Sequence, residues 1–163
     1  MDDELALETS SAPIDAVVEV PGSKSIANRA LVCAALATGT STLRRVATGD
    51  DTAAMTACLG ALGVDISGSG ATVSVGGVGR DLVGGSVLDA RLAGTTSRFI
   101  TAVAALSSTP SVVTGDEPLR RRPMSPLHDA LTTLGASIVP SAEPGHLPVT
   151  VSGGDLLGGL VRM

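Results

Sequence analysis

Lys24, Arg29, Arg98 and the run Arg120, Arg121, Arg122 all fall in turn-like stretches or at expected helix starts. The chain around them is acidic, with a formal net charge of −5. The net negative charge argues against nucleic-acid binding, and cations gathered at junctions of such a chain point to a local anion site rather than a basic surface. The densest group is Val20 to Arg29: a Pro21-Gly22 turn, hydroxyls at Ser23 and Ser25, the ammonium of Lys24, the amide of Asn28 and the guanidinium of Arg29. It follows a short apolar run and precedes an Ala/Leu-rich one, so it reads as a strand–turn–helix junction. Such a junction offers free backbone N–H groups at the positive end of the helix dipole, where phosphate or carboxylate is favoured. Lys24 stands at its mouth, with Arg29 about one turn inside the helix.

The elements that must position these groups follow from apolar spacing and breakers. Met1 to Ala12 reads as frayed or a loose edge strand. A strand is expected over Ile14 to Val20, and a helix over about Ser25 to Ala37. That helix is apolar on nearly every face, so it should be buried all round. Gly39 is its expected stop, followed by a strand from Ser41 to Val46. Gly49-Asp50-Asp51 reads as a capped helix start, with Asp50 as the cap and both carboxylates available as partners for Lys24 and Arg29. Met55, Leu59 and Leu62 then recur at helical spacing up to Gly63. A hairpin joins Val64–Ser67 to Thr72–Val75.

The pattern then repeats. Val87 to Leu92 reads as a strand, and Ala93 to Arg98 as a second Gly/hydroxyl/Arg junction. A helix runs to about Leu106, a strand from Ser111 to Thr114, and a polar loop from Gly115 to Pro126. A helix over Ser125 to Leu134 and a strand pair, Ser137–Val139 with Val149–Val151, complete the unit. Leu62-Gly63 and Leu134-Gly135 hold equivalent places some 72 residues apart. The reading is an α/β (α+β) chain of duplicated strand–helix–strand–helix–hairpin units packed side by side, with the apolar helices between them. Residues 1–16 form a flexible or edge segment. Unit one spans about 17–80, unit two about 84–155, and residues 156–163 begin a third.

The core must be aliphatic, since the chain holds one Phe, no Trp and no Tyr. Cys33 and Cys58 lie in apolar helical patterns and read as free, buried thiols with no metal-ligand spacing. His128 and His146 read as surface residues. No signal-peptide pattern and no apolar run of membrane-spanning length is visible, so the expectation is a cytoplasmic protein with no membrane contact.

Pro21-Gly22-Ser23-Lys24-Ser25 with Asn28-Arg29 resembles the N-terminal signature of the 5-enolpyruvylshikimate-3-phosphate synthases. Three further stretches match that family in order: Gly49-Asp50-Asp51-Thr52, Leu92 to Phe99 (Leu-Ala-Gly-Thr-Thr-Ser-Arg-Phe), and Thr114 to Met124 with its three arginines. Together they cover about residues 14 to 160. The related UDP-N-acetylglucosamine enolpyruvyl transferases carry Lys-Asn where this chain has Lys24-Ser25.

The resemblance implies one domain of an inside-out α/β barrel, with about two of its three units present. It implies transfer of a carboxyvinyl group from phosphoenolpyruvate to the 5-hydroxyl of shikimate 3-phosphate, a step of the shikimate pathway to aromatic amino acids. No cofactor and no metal is implied. Lys24, Ser25 and Arg29 are implied for shikimate 3-phosphate, and Lys24, Gly94 and Arg122 for phosphoenolpyruvate. Thr95 is expected to cap its helix without touching ligand, Arg98 is divided between ligand and structure, and Arg120 and Arg121 are expected in solvent. The family's Ser-Ser-Gln motif and its general acid–base residues belong to a C-terminal part not in these 163 residues. The expectation is therefore a fragment with part of both substrate sites and little activity alone. The alternative is a non-catalytic anion-binding domain that self-associates or complements a separate C-terminal part. A distinct small enzyme is disfavoured, because no proton-transfer residue is placed for it.

Overall fold

A computed structural model describes residues 11–69, 71–154 and 156–161. Most of the segment expected to be frayed, Met1 to Ala12, lies outside the described residues. The elements, in chain order, are α1 (Lys24–Leu36), β1 (Thr38–Arg44), α2 (Asp50–Ala61), β2 (Asp65–Ser69), β3 (Thr72–Val78), β4 (Val87–Asp89), α3 (Gly94–Ala104), β5 (Ser111–Thr114), α4 (Glu117–Arg120), α5 (Ser125–Thr133), β6 (Ser137–Pro140) and β7 (Val149–Ser152). The expected duplication is visible in the sheets. The first has strand order β1-β3-β2, all antiparallel; the second has β4-β5-β7-β6. Matching β1 with β5, β3 with β7 and β2 with β6 gives one order in both. The second sheet adds β4, parallel to β5, at the edge.

The counterpart of β4 in the first unit should be Ile14–Val20, and here the expected strand is absent. Those residues are unpaired in a sheet, and Val17 is 98% exposed. A strand of marginal pattern needs a neighbour to hydrogen-bond, and none lies beside this one among the described residues.

Helices α1, α2 and α3 pack on one another between the two sheets, α1 against β1 and β3, and α3 against β5 and β7. Leu31, Met55, Leu59, Val75, Ile100, Val113 and Val151 form the continuous aliphatic core. Gly77 allows the close approach of α1 to β3: a Cβ there would collide with the backbone carbonyls of Ala34 and Ala37. Close packing of this kind suits a core without large rings.

Several local expectations change. Helix α1 is not buried all round. Ala27, Asn28, Leu31, Ala34 and Ala35 form its inward stripe, while Ile26, Arg29 and Cys33 face out. Only one face is covered, and the outer face carries apolar side chains beside Lys24, Ser25 and Arg29. Cys33 is accordingly exposed and only Cys58 is buried. Gly39 lies inside β1 rather than ending α1. The N-cap of α2 is Gly49, not Asp50, which is the first helical residue and makes no capping bond. The polar loop contains the single turn α4. His128 is buried, 6% exposed, because the loop before β7 folds over the start of α5, where the Met124 N–H donates to the Gly145 carbonyl at 2.8 Å. His146, on that loop, is half-buried. No described helix is long and apolar enough to cross a membrane.

Candidate functional site

The N-termini of α1, α2 and α3 meet at one open cleft of about 410 Å³, lined by Lys24, Asp51, Leu92, Gly94, Arg98 and Arg122 with Thr95. Each helix begins there for a local reason. At α1 the Ser23 hydroxyl caps the helix, accepting from the Ile26 N–H at 3.5 Å, so Lys24 is the first helical residue. At α2 and α3 the capping positions, Gly49 and Ala93, provide no side-chain acceptor. Their first N–H groups therefore stay available to a ligand, and the helix dipoles add positive potential at the same place.

Lys24 Nζ lies 2.9 Å from Asp51 Oδ2, fixing the ammonium at the junction of α1 and α2. This bears out the reading of Asp51 as a partner of Lys24. Lys24 remains 70% exposed, so the pair holds the ammonium in place without hiding it from a ligand.

Gly94 opens α3. A Cβ on it would come within 2.9 Å of Arg122 Nη1 and 3.7 Å of Arg98 Nη1. Glycine thus lets the Arg122 guanidinium lie against the helix start. Arg98 ties the same turn to the Arg122 segment, donating to the Gly94 carbonyl at 3.4 Å and to the Pro123 carbonyl at 3.2 Å. Arg98 is a structural bracket that also borders the cleft. The other two arginines of the run are engaged elsewhere. Arg120 Nε donates to the Gly115 carbonyl at 2.6 Å, and Arg121 pairs with Glu117. Both are exposed, as expected, and Arg120 also braces its loop through that bond. Among the described residues no carboxylate or carbonyl engages the Arg122 guanidinium.

The sequence-expected residues divide in two. Lys24, Gly94 and Arg122 share the cleft. Ser25 and Arg29 do not line it; both are exposed on α1 beyond its rim. Arg29 Nη1 donates to the Ser25 carbonyl at 2.9 Å, and its Cζ stands over the Phe99 ring, 5.3 Å from the centroid. A larger open cavity of about 1030 Å³ adjoins the cleft, bordered by Val18–Gly22 and Arg45–Thr52, with Lys24 and Asp51 on both.

One buried residue escapes sequence reasoning. Thr96 is fully buried. Its hydroxyl donates to the Asp51 carbonyl at 3.0 Å and accepts from Asn28 Nδ2 at 3.4 Å. A single hydroxyl on α3 therefore registers α1 and α2, and with them Lys24 and Asp51. Thr96 stands beside Thr95 in the sequence, and only their phase on the helix separates the inward residue from the cleft-lining one.

Two titratable groups are displaced from their usual range. Burial, with help from Asp89 and against Arg91, pushes the Cys58 thiol up to about 12; its Sγ lies 3.4 Å from the Asp89 carbonyl. Burial pushes His128 down, opposed by Asp129 and aided by His146. Neither borders the cleft. No group of three or more His, Cys, Asp or Glu side chains able to hold a metal occurs among the described residues.

Paired α/β units with inward helices, whose N-termini converge on a cation-lined cleft, define a domain of the enolpyruvyl transferase kind. The family model for EPSP synthase (3-phosphoshikimate 1-carboxyvinyltransferase) matches residues 9–162, and the chain belongs to that family. It is 38% identical over 164 residues to the 3-phosphoshikimate 1-carboxyvinyltransferase of Trichormus variabilis, covering 99% of this chain and 38% of the relative. It is 44% identical over 151 residues to that of Rhizobium leguminosarum bv. trifolii, covering 92% and 36%. EPSP synthase from Acinetobacter baumannii superposes with a TM-score of 0.80 at 33% identity, over 88% of this chain and 33% of that one. The chain thus spans well under half the length of these relatives.

Proposed function

We propose that this chain supplies the phosphoenolpyruvate-binding face, and part of the shikimate 3-phosphate-binding face, of a cytoplasmic 3-phosphoshikimate 1-carboxyvinyltransferase. The observation that carries the reading is the convergence of Lys24, the Gly94 helix start and Arg122 on one cleft. Phosphoenolpyruvate brings a carboxylate and a phosphate. Arg122 offers a planar fork suited to either group, and the N–H groups at the start of α3 accept the other. Lys24 sits where the two substrates meet and stabilises negative charge on both. Ser25 and Arg29, further along α1, bind shikimate 3-phosphate. In the reaction the 5-hydroxyl gives up its proton to a base as its oxygen bonds to C2 of phosphoenolpyruvate, and the C2=C3 electron pair takes up a proton at C3. Loss of a C3 proton and of phosphate from C2 then restores the C2=C3 double bond and leaves the enol ether.

These groups bind and orient, which brings reactants together at high effective concentration. General acid–base groups are not among them, and their absence removes assistance of roughly 10²–10⁴-fold. The chain alone is therefore a binding half-site of low turnover.

The test is calorimetric titration of shikimate 3-phosphate and phosphoenolpyruvate, with phosphate release followed in parallel. Binding of shikimate 3-phosphate that weakens in Arg29→Ala, and ternary binding that weakens in Lys24→Met, are expected. Phosphate release should require addition of the C-terminal part of a relative. Turnover by the chain alone overturns the half-site reading, and unchanged affinity in both variants removes these residues from the site.

A further inference from the structure

The chain contains a single aromatic side chain that is not histidine, Phe99. Its position is informative. Phe99 lies three residues after Thr96 on α3, so both point from one helix face toward α1. Thr96 reaches Asn28 and Phe99 reaches Arg29, the next residue. The ring is half-buried against the aliphatic core, while the guanidinium above it is exposed.

An exposed arginine samples many rotamers, and immobilising it on a ligand costs affinity. Here two contacts already restrain Arg29. The Ser25 carbonyl takes one Nη1 proton at 2.9 Å, and the ring face lies 5.3 Å below Cζ, within the range of cation–π attraction. A guanidinium held by one face keeps its remaining edge N–H groups free for bidentate contact with a carboxylate or phosphate.

We propose that Phe99 is a positioning residue for Arg29, presenting its guanidinium edge to an anionic group of shikimate 3-phosphate. The proposal rests on the substrate reading given above. Phe99 acts through Arg29 and does not itself border the cleft. An aliphatic side chain at this position keeps the apolar packing but loses the ring face, which separates positioning from mere core filling.

The experiment is a double-mutant cycle on shikimate 3-phosphate binding with Phe99→Leu, Arg29→Ala and the combination, plus Phe99→Tyr as the conservative variant. An exposed cation–π contact translates to roughly two- to fivefold in affinity. Phe99→Leu should weaken binding by that factor, Phe99→Tyr should restore it, and Phe99→Leu should add nothing once Arg29→Ala is present. Wild-type affinity in Phe99→Leu, equal weakening on both backgrounds, or failure of Phe99→Tyr to recover overturns the proposal.

A second measurement needs no substrate. The Arg29 Nε–H resonance of the free chain should be shifted by the ring in wild type and Phe99→Tyr, and return to the ordinary arginine position in Phe99→Leu. Identical resonances in wild type and Phe99→Leu overturn the orientation of Arg29. If the wild-type chain takes up no shikimate 3-phosphate, the substrate reading fails, while this resonance still decides whether Phe99 orients Arg29.

Discussion

Replacing Thr96 by valine removes one buried hydroxyl and almost no volume. The Asp51 carbonyl, 3.0 Å from that hydroxyl, keeps its place as a helical acceptor in α2. Asn28 is left worse off. Its Oδ1 is buried without a partner, and its Nδ2 has the Thr96 hydroxyl at 3.4 Å as acceptor. With Thr96→Val the whole amide of a 1%-exposed residue becomes unsatisfied. Stranding one buried polar group costs about 1–3 kcal/mol. In a chain of this size each kcal/mol moves the melting temperature by roughly 2–4 °C, so a fall of about 2–12 °C is expected. Thermal unfolding followed by circular dichroism measures it. Thr101→Val is the control: that hydroxyl is also buried, but it bonds only back to the Ser97 carbonyl of its own helix, and no side chain depends on it. Its loss should cost less. The sharper test is Asn28→Leu combined with Thr96→Val, because removing both partners relieves the stranded amide. The double variant should be more stable than Thr96→Val alone. A Thr96→Val chain within about 0.5 kcal/mol of wild type, or a double variant no better than the single, refutes the argument that this hydroxyl registers the three helices.

Three other outcomes follow from the same geometry. Gly94→Ala places a methyl group 2.9 Å from Arg122 Nη1, a flexible side-chain end, so folding should be unchanged. Displacing that guanidinium forfeits a charge-assisted bond, and phosphoenolpyruvate affinity measured by calorimetry should fall roughly tenfold or more. A thiol-specific reagent at pH 8 should label one cysteine quickly. Cys33 is exposed, whereas Cys58, pushed up to about 12, is ionised only about 10⁻⁴ of the time; mass mapping of the modified peptide identifies which. Acidification should destabilise the fold through His128. Its folded value lies below the ordinary 6.5, so the unfolded chain binds the proton first. Stability should drop as pH falls through about 6.5, by at most about 1.4 kcal/mol per pH unit, until the folded imidazole also protonates. His128→Gln should flatten that slope in a melting series from pH 7 to pH 5.

The junctions are legible in the amino-acid order because their signals are local. A turn, a hydroxyl and an apolar run within about ten residues mark the start of α1, and the second Gly/hydroxyl/Arg stretch marks the start of α3. Helix, strand and hairpin order follow from the same short-range periodicity, as does the repeat. The Lys24–Asp51 pair is legible as one of a few available partnerships. What fails locally fails at exposure. Cys33 and His128 are equally consistent with an inward or outward face until the neighbouring element is known, and Ile14–Val20 has strand composition without a partner strand.

The sequence by itself determined the inventory: an acidic chain with its cations at helix starts, two equivalent units, and an aliphatic core with one benzyl ring. Tertiary structure alone decided the assignments. It set Arg122 in the cleft while Arg120 and Arg121 turned to Gly115 and Glu117. It joined Asn28 to Thr96 across 68 residues and Thr96 to Asp51 across 45. It laid Arg29 over Phe99 rather than inside the cleft. The physical reason is range. Helix starts and turns are fixed by bonds reaching three or four residues, whereas the facing of a side chain depends on which distant element packs against it, and that follows from the burial of the whole aliphatic core.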